Sequence, residues 1–262
     1  MGRSSPSRRI HFLDELRGFC IILMVFYHGF YTLGMFGAPF ALDLFEFFTP
    51  AEPFFAGIFV FLCGICCNFS HSNLKRGLLL AGAAVLLSLV LWAAIQGGLL
   101  HHSSMIWFGI LHCLAACILL YTLLHPTIRF IPAWLGLIVC AVLFVLCLHV
   151  PVAEGGYFGI PGVFRLNVPS ADKTNPFLYP FGLCPVGFAG DYFPLIPWFF
   201  CFIGGTYVGT WHRHYPKWMS RSHVPLLSHI GKLSIWIYLA HQPIIYGICF
   251  LVYFLIQQLS KA

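Results

Sequence analysis

Three histidines, one arginine and three carboxylates stand in this chain where ionisable side chains are costly. His28, His112 and His241 lie inside long apolar runs. Asp14 and Arg17 open one run, and Glu52 and Asp191 open two others. A charged side chain at the centre of a membrane span costs about 3 kcal/mol, so it faces a cavity or a partner. An imidazole takes and returns protons near neutral pH, and a neighbouring carboxylate can orient it. A guanidinium suits phosphate. Arg17 and His28 are eleven residues apart, three helical turns plus about 20°, and so share one face about 16 Å apart along the axis. Asp14 precedes Arg17 at the i,i+3 spacing of a helical ion pair. Ser234, Tyr238 and His241 fall within about 60° of one another on a helix. Pro243 then frees the carbonyl of Leu239, and a kink beside His241 is expected. Gly109 and Ala116 flank His112 at i−3 and i+4, which predicts a close helix approach. Each residue also has a plainer reading. Arg17 would snorkel to an interface, His28 and His112 would pack as hydrogen-bonded residues, and Asp191 or Glu52 would cap a helix with proline in its first turn.

The elements that position these residues follow from composition. The 262 residues are 60% hydrophobic and 8% charged, with a mean hydropathy of +0.86. Soluble domains are about 25% charged, so soluble, secreted and nucleic-acid-binding classes are set aside. Apolar runs approach or exceed the span of about 20 residues at 12–35, 51–70, 77–96, 105–124, 132–150, 192–211 and 228–256. The fold class expected is an all-α, polytopic membrane helix bundle with seven helices, forming a single domain over 1–262.

With the N-terminus inside, the inner segments hold Arg3, Arg8, Arg9, Arg17, Lys75, Arg76, Arg129, Arg213, Lys217, Arg221 and Lys232. The outer ones hold only Arg165, Lys173 and Lys261. This is a positive-inside pattern. Most carboxylates (Asp43, Glu46, Glu52, Glu154, Asp172, Asp191) fall outside or at the outer boundary. The segment 151–191 is then an outer loop, rich in Gly, Pro and aromatics, read as a folded lid or partly re-entrant cap.

Ten of the 11 cysteines lie in apolar runs and read as small packing residues, with Cys184 in a loop. Cys63-x-x-Cys66-Cys67 has the look of a metal or redox motif, but it sits mid-helix without a second ligand pair. No zinc spacing, P-loop or dinucleotide fingerprint occurs, so no metal is assigned. The start does not read as a signal peptide, because Asp14, Glu15 and Arg17 interrupt it, and Pro6 breaks the myristoylation pattern after Gly2. His212-Arg213-His214 forms a basic patch suited to lipid headgroups or to the phosphates of an anionic cofactor.

Four strings carry a resemblance. They are Arg9-Ile10-His11-Phe12-Leu13-Asp14-Glu15-Leu16-Arg17-Gly18-Phe19 running on to Tyr27-His28, then Ile106-Trp107-Phe108-Gly109-Ile110-Leu111-His112, then Asp191-Tyr192-Phe193-Pro194-Leu195-Ile196-Pro197-Trp198, and last Ser234 through Pro243. In this order they resemble the bacterial short members of the heparan-α-glucosaminide N-acetyltransferase catalytic-domain family, within a wider group of transmembrane acyltransferases. The resemblance implies a multi-pass protein of the bacterial cytoplasmic membrane. It implies transfer of an acetyl or other acyl group from cytosolic acetyl-CoA (acyl-CoA) to an extracytoplasmic sugar, glycan or other envelope acceptor. His28 would be the general base, Asp191 or Glu52 would orient it, and His241 or His112 would hold the thioester oxygen or the acceptor. Arg17, Lys75, Arg76, Arg213 and Lys217 are candidates for the CoA phosphates. The lysosomal member places a proposed acting histidine in the loop after its first helix. The matching stretch here, 31–50, contains no histidine, so an acetyl-histidine at that position is not expected.

Two other readings use the same buried groups. A proton-coupled transporter or flippase of a polar solute would need intramembrane His, Arg and acids. A bis-histidine haem would use two of His28, His112 and His241. The bilayer, acyl-CoA and the acceptor are the partners expected, without nucleic acid, and a homodimer is kept open.

Overall fold

A computed structural model describes residues 9–151, 156–168, 176–183 and 191–259. Arg3, Arg8, Glu154, Asp172, Lys173, Cys184 and Lys261 lie outside the described residues, as do the side chains of His212 and Arg213. The described chain is an all-α, polytopic membrane helix bundle. The helices run in the order α1 (His11–Met35), α2 (Pro39–Phe48), α3 (Glu52–Cys66), α4 (Asn73–Gln96), α5 (Ile110–Ile128), α6 (Ala133–Cys147), α7 (Leu195–Thr210), α8 (Pro225–Lys232) and α9 (Ser234–Leu259).

Among the described residues, five stretches are long and apolar enough to cross a membrane: His11–Met35, Pro39–Phe69, Asn73–Gln96, Ile110–Ile128 and Ser234–Leu259. The other two expected spans are shorter helices. α6 has 15 residues and α7 has 16, about 22–24 Å at helical rise, against about 30 Å of hydrocarbon. The last expected span, 228–256, divides at Leu233 into α8 and α9. The segment expected as a lid contains, among its described residues, an antiparallel hairpin of β1 (Tyr157–Ile160) and β2 (Phe164–Asn167), in register from Tyr157↔Asn167 to Ile160↔Phe164. Its turn centres on Gly162, whose φ of +80° suits glycine.

The chain packs as two compact units, Met1–Phe59 with His214–Ala262, and Val60–Arg213. In the first unit α1 and α8 pass each other in opposite senses at backbone contact. A Cβ on Gly18 would overlap the carbonyl oxygen of Leu227, and one on Gly231 would overlap that of Asp14. Small residues let helix backbones approach this closely. Gly231 lies in the last turn of α8, where carbonyls lose their helical partners. Arg17 supplies one, its Nη2 donating to Gly231 O at 2.9 Å and to Ser234 Oγ at 3.1 Å. Asp14 holds the guanidinium in place at 3.4 Å and also accepts from Arg9 at 2.8 Å. The next residue, Glu15, does the corresponding work at the other end of α8. Its Oε1 accepts from Ser222 Oγ (2.8 Å), His223 N (2.7 Å) and Val224 N (3.0 Å), placing a carboxylate at a helix N-terminus.

The second unit repeats the device with other glycines. A Cβ on Gly205 would overlap Phe61 O, and one on Gly64 would overlap Phe202 O, so α3 and α7 also touch backbone to backbone. Gly136 of α6 receives the ring of Tyr207, whose hydroxyl donates to Ile128 O at 3.3 Å. Ser72 caps α4, accepting from Lys75 N at 3.3 Å. Cys113, Cys117, Ile118 and Phe202 are wholly buried, and the ten described cysteines are free thiols.

Helix overpacking costs about 1–3 kcal/mol. Gly231→Ala and Gly205→Ala are therefore expected to lower the detergent unfolding temperature by several degrees, whereas Gly82→Ala, whose new Cβ meets nothing within 4 Å, leaves it unchanged or raised. Arg17→Ala, which strands the Gly231 carbonyl and removes one of the two cations on Asp14, is expected to cost about 1–3 kcal/mol, read as an unfolding shift without any added ligand.

Candidate active site

The first unit brings two of the sequence candidates side by side. His28 of α1 and His241 of α9 have ring centroids 5.3 Å apart. Tyr27 and Tyr238 add rings at 5.7 Å from His28 and 5.6 Å from His241 respectively. The stripe expected on the last helix is present, for Ser234 and His241 are both buried. Helix α9 nonetheless continues through Pro243. His241 Nδ1 lies 2.6 Å from Tyr238 O. A carbonyl only accepts, so Nδ1 carries the proton, and Nε2 is the unprotonated nitrogen of the neutral ring. The next residue, Gln242, accepts at Oε1 from Thr32 Oγ1, one turn after His28 on α1, at 3.4 Å. Two polar residues on α9 thus meet two on α1. Glu52 belongs to the same unit, at the first turn of α3.

The second unit gathers His112 and Asp191. Helix α5 begins at Ile110, so Gly109 is its N-cap and not a residue of a helix–helix seam. The space that Gly109 leaves is used by Asp191, whose Oδ2 would lie 3.1 Å from a Cβ there. Phe193 N donates to Phe108 O at 2.9 Å and ties the two strings together. Asp191 is not the cap of α7, which starts at Leu195 after Pro194 with no side-chain cap. Ser88 of α4 fixes the state of His112. Its hydroxyl proton goes to Ile106 O at 2.9 Å, so its oxygen accepts from His112 Nε2 at 3.2 Å. In the neutral ring Nδ1 then holds the lone pair, and this atom is buried with no hydrogen-bond partner among the described residues. Ser88 carried no sequence signal, since a lone serine in an apolar helix reads as a packing residue.

The basic candidates divide by their partners. Arg17 is hydrogen-bonded to Asp14, Gly231 and Ser234. Arg76 turns to the cysteine cluster, with Nη2 3.0 Å from Cys63 Sγ and Nη1 3.8 Å from Cys67 Sγ. Among the described residues no group of three or more His, Cys, Asp or Glu side chains has a metal-holding arrangement. Lys75 and Lys217 are exposed. Neither has a carboxylate within ion-pair distance among the described residues. The Arg213 side chain is outside the described residues.

In the neutral form, His241 and His112 each keep a lone pair on one ring nitrogen, Nε2 and Nδ1, and such a ring can move a proton. They stand in helices that cross or enter the bilayer. No curated protein and no solved structure matches the chain. The family model described as heparan-alpha-glucosaminide N-acetyltransferase, catalytic, matches residues 9–243, an interval that contains every one of these residues. The chain belongs to this family of membrane acetyltransferases.

Proposed function

We propose that this protein moves an acetyl group from cytosolic acetyl-CoA to a sugar, glycan or other envelope acceptor on the outer side of a bacterial cytoplasmic membrane, with His28 as the general base. The observation that carries the reading is the His28–His241 pair on α1 and α9. His28 takes the proton from the acceptor hydroxyl or amine as that atom attacks the thioester carbonyl. The carbon–sulfur bond breaks, and CoA leaves as a thiolate that recovers a proton. His241 cannot donate to the thioester oxygen while neutral, because its one N–H is given to Tyr238 O. Its Nε2 instead accepts from the acceptor, so it binds and aligns. His112, with Asp191 beside Gly109, is a second proton-accepting site in the other unit. Glu52 is the carboxylate of the first unit proposed to orient His28.

For the donor phosphates, Arg17 and Arg76 are already engaged within the protein. Lys75, exposed in the first turn of α4, is the residue we assign to them, with Arg213 as a second candidate.

His28→Ala is expected to lower acetyl transfer by about 10²–10⁴-fold, the worth of a general base, with acetyl-CoA binding kept. Transfer at the wild-type rate would sink the assignment. Acetyl-CoA at 100 times its Kd adds about 2.7 kcal/mol of stability, so it should raise the detergent unfolding temperature by degrees. Dephospho-CoA and free acetate should do less, and Lys75→Gln should weaken the shift. No shift at millimolar acetyl-CoA would remove the donor from the reading.

A further inference from the structure

The first unit contains a cavity of about 330 Å³ that the acetyl-transfer reading does not use. It is lined by Phe12, Leu16 and Phe19 of α1, Trp218 and His223 of the connecting segment, Leu227 of α8, and also by Glu15 and Val224. Its wall is almost entirely carbon. The one carboxylate there has Oε1 turned to Ser222, His223 N and Val224 N. These three bonds pin residues 222–224 against α1 and so build one side of the cavity. Phe12 meets Trp218 edge to face at 5.0 Å and builds the other.

The surroundings are basic. Lys217 immediately precedes Trp218, and Arg221 stands two residues before His223. Both are exposed, and neither has a carboxylate within ion-pair distance among the described residues. No Asp or Glu occurs anywhere in 192–262, and the Glu15 carboxylate from α1 is engaged with Ser222, His223 N and Val224 N. The segment lies between two apolar helices, α7 and α9, which puts it at a membrane surface. Trp218 is 48% exposed and Leu226 68% exposed, alongside His229 and Lys232 on the same short helix. Tryptophan and apolar residues mixed with cations are the composition of an interfacial anchor.

We propose that this cavity is a binding site for an anionic phospholipid, with an acyl chain among Phe12, Leu16, Phe19 and Trp218 and the headgroup phosphate on Lys217 and Arg221. An apolar slot alone would take any lipid tail. The unpaired cations at its rim select the charge, because basic side chains at a membrane surface favour anionic headgroups. Occupancy would brace residues 217–224 and, through Glu15, the α1–α8 contact.

The test is a titration of detergent-purified protein with phosphatidylglycerol and with phosphatidylcholine of the same chains, read as unfolding temperature and as lipid adducts in native mass spectrometry. Phosphatidylglycerol is expected to bind and stabilise at lower concentration than phosphatidylcholine. Lys217→Gln with Arg221→Gln is expected to weaken it by about thirtyfold, the factor for two interfacial cations, and to weaken phosphatidylcholine much less, so that the preference is lost. Val224→Phe, which narrows the slot without touching the charges, is expected to weaken both lipids. Equal response to the two lipids, or a preference that survives the double variant, overturns the proposal. Glycerol 3-phosphate reproducing the stabilisation would show a free phosphate site in its place. Acetyl-CoA displacing phosphatidylglycerol from the wild type would make Lys217 and Arg221 part of the donor site, and would likewise overturn it. The lipid readout needs no acyl donor, so its failure is separable from failure of the acetyltransferase reading.

Discussion

Helix backbones in direct contact are the constraint on which both units depend. Lipid offers no hydrophobic advantage to two apolar helices that meet, since its tails are as apolar as the side chains. Association then rests on close packing and on polar bonds kept out of lipid. Gly18 with Gly231 serves α1 and α8, and Gly64 with Gly205 serves α3 and α7. Once the first pair is closed, the carbonyl of Gly231 lies within reach of Arg17, and Asp14 can hold that guanidinium. The acidic and basic residues at the start of α1 are thus the polar half of a packing contact.

Asp14 and Glu15 are neighbours in sequence and both are buried, yet they act on opposite ends of the same short helix. Asp14 works through Arg17 at the C-terminal turn of α8, and Glu15 directly at its N-terminal turn. This clamp sets where α8 ends and α9 begins, and α9 carries His241. The position of one ring in the His28–His241 pair therefore descends from a carboxylate–guanidinium–carbonyl chain about three helical turns away. Loss of Arg17 is felt as instability before it is felt as chemistry.

Much of the candidate site was legible in the sequence because ionisable residues in apolar runs are rare and their helical angles are simple to calculate. The i,i+3 pairing of Asp14 with Arg17 follows from such an angle, as does the shared face of Ser234 and His241. Ser88 was not legible. Its importance lies in one hydroxyl that gives its proton to Ile106 O and accepts the Nε2 proton of His112, and those directions depend on two distances. Arg76 was also read differently. A cation at the start of an apolar helix suggests phosphate, whereas its neighbours prove to be the thiols of Cys63 and Cys67. Gly109 likewise looked like part of a helix seam and instead makes room for the Asp191 carboxylate.

What the sequence by itself determined is the class of molecule, the set of apolar segments and the family strings, because hydropathy and local spacing act over one helix at a time. The tertiary structure decided which partner each polar atom takes. It turned α6 and α7 into short helices, broke the last span at Leu233, and gave Nδ1 of His241 to Tyr238. It also built the carbon-walled cavity from residues more than 200 positions apart in the chain. Such contacts depend on the register of one helix against another. That register is set by where glycine lets two backbones touch, which no single segment encodes alone.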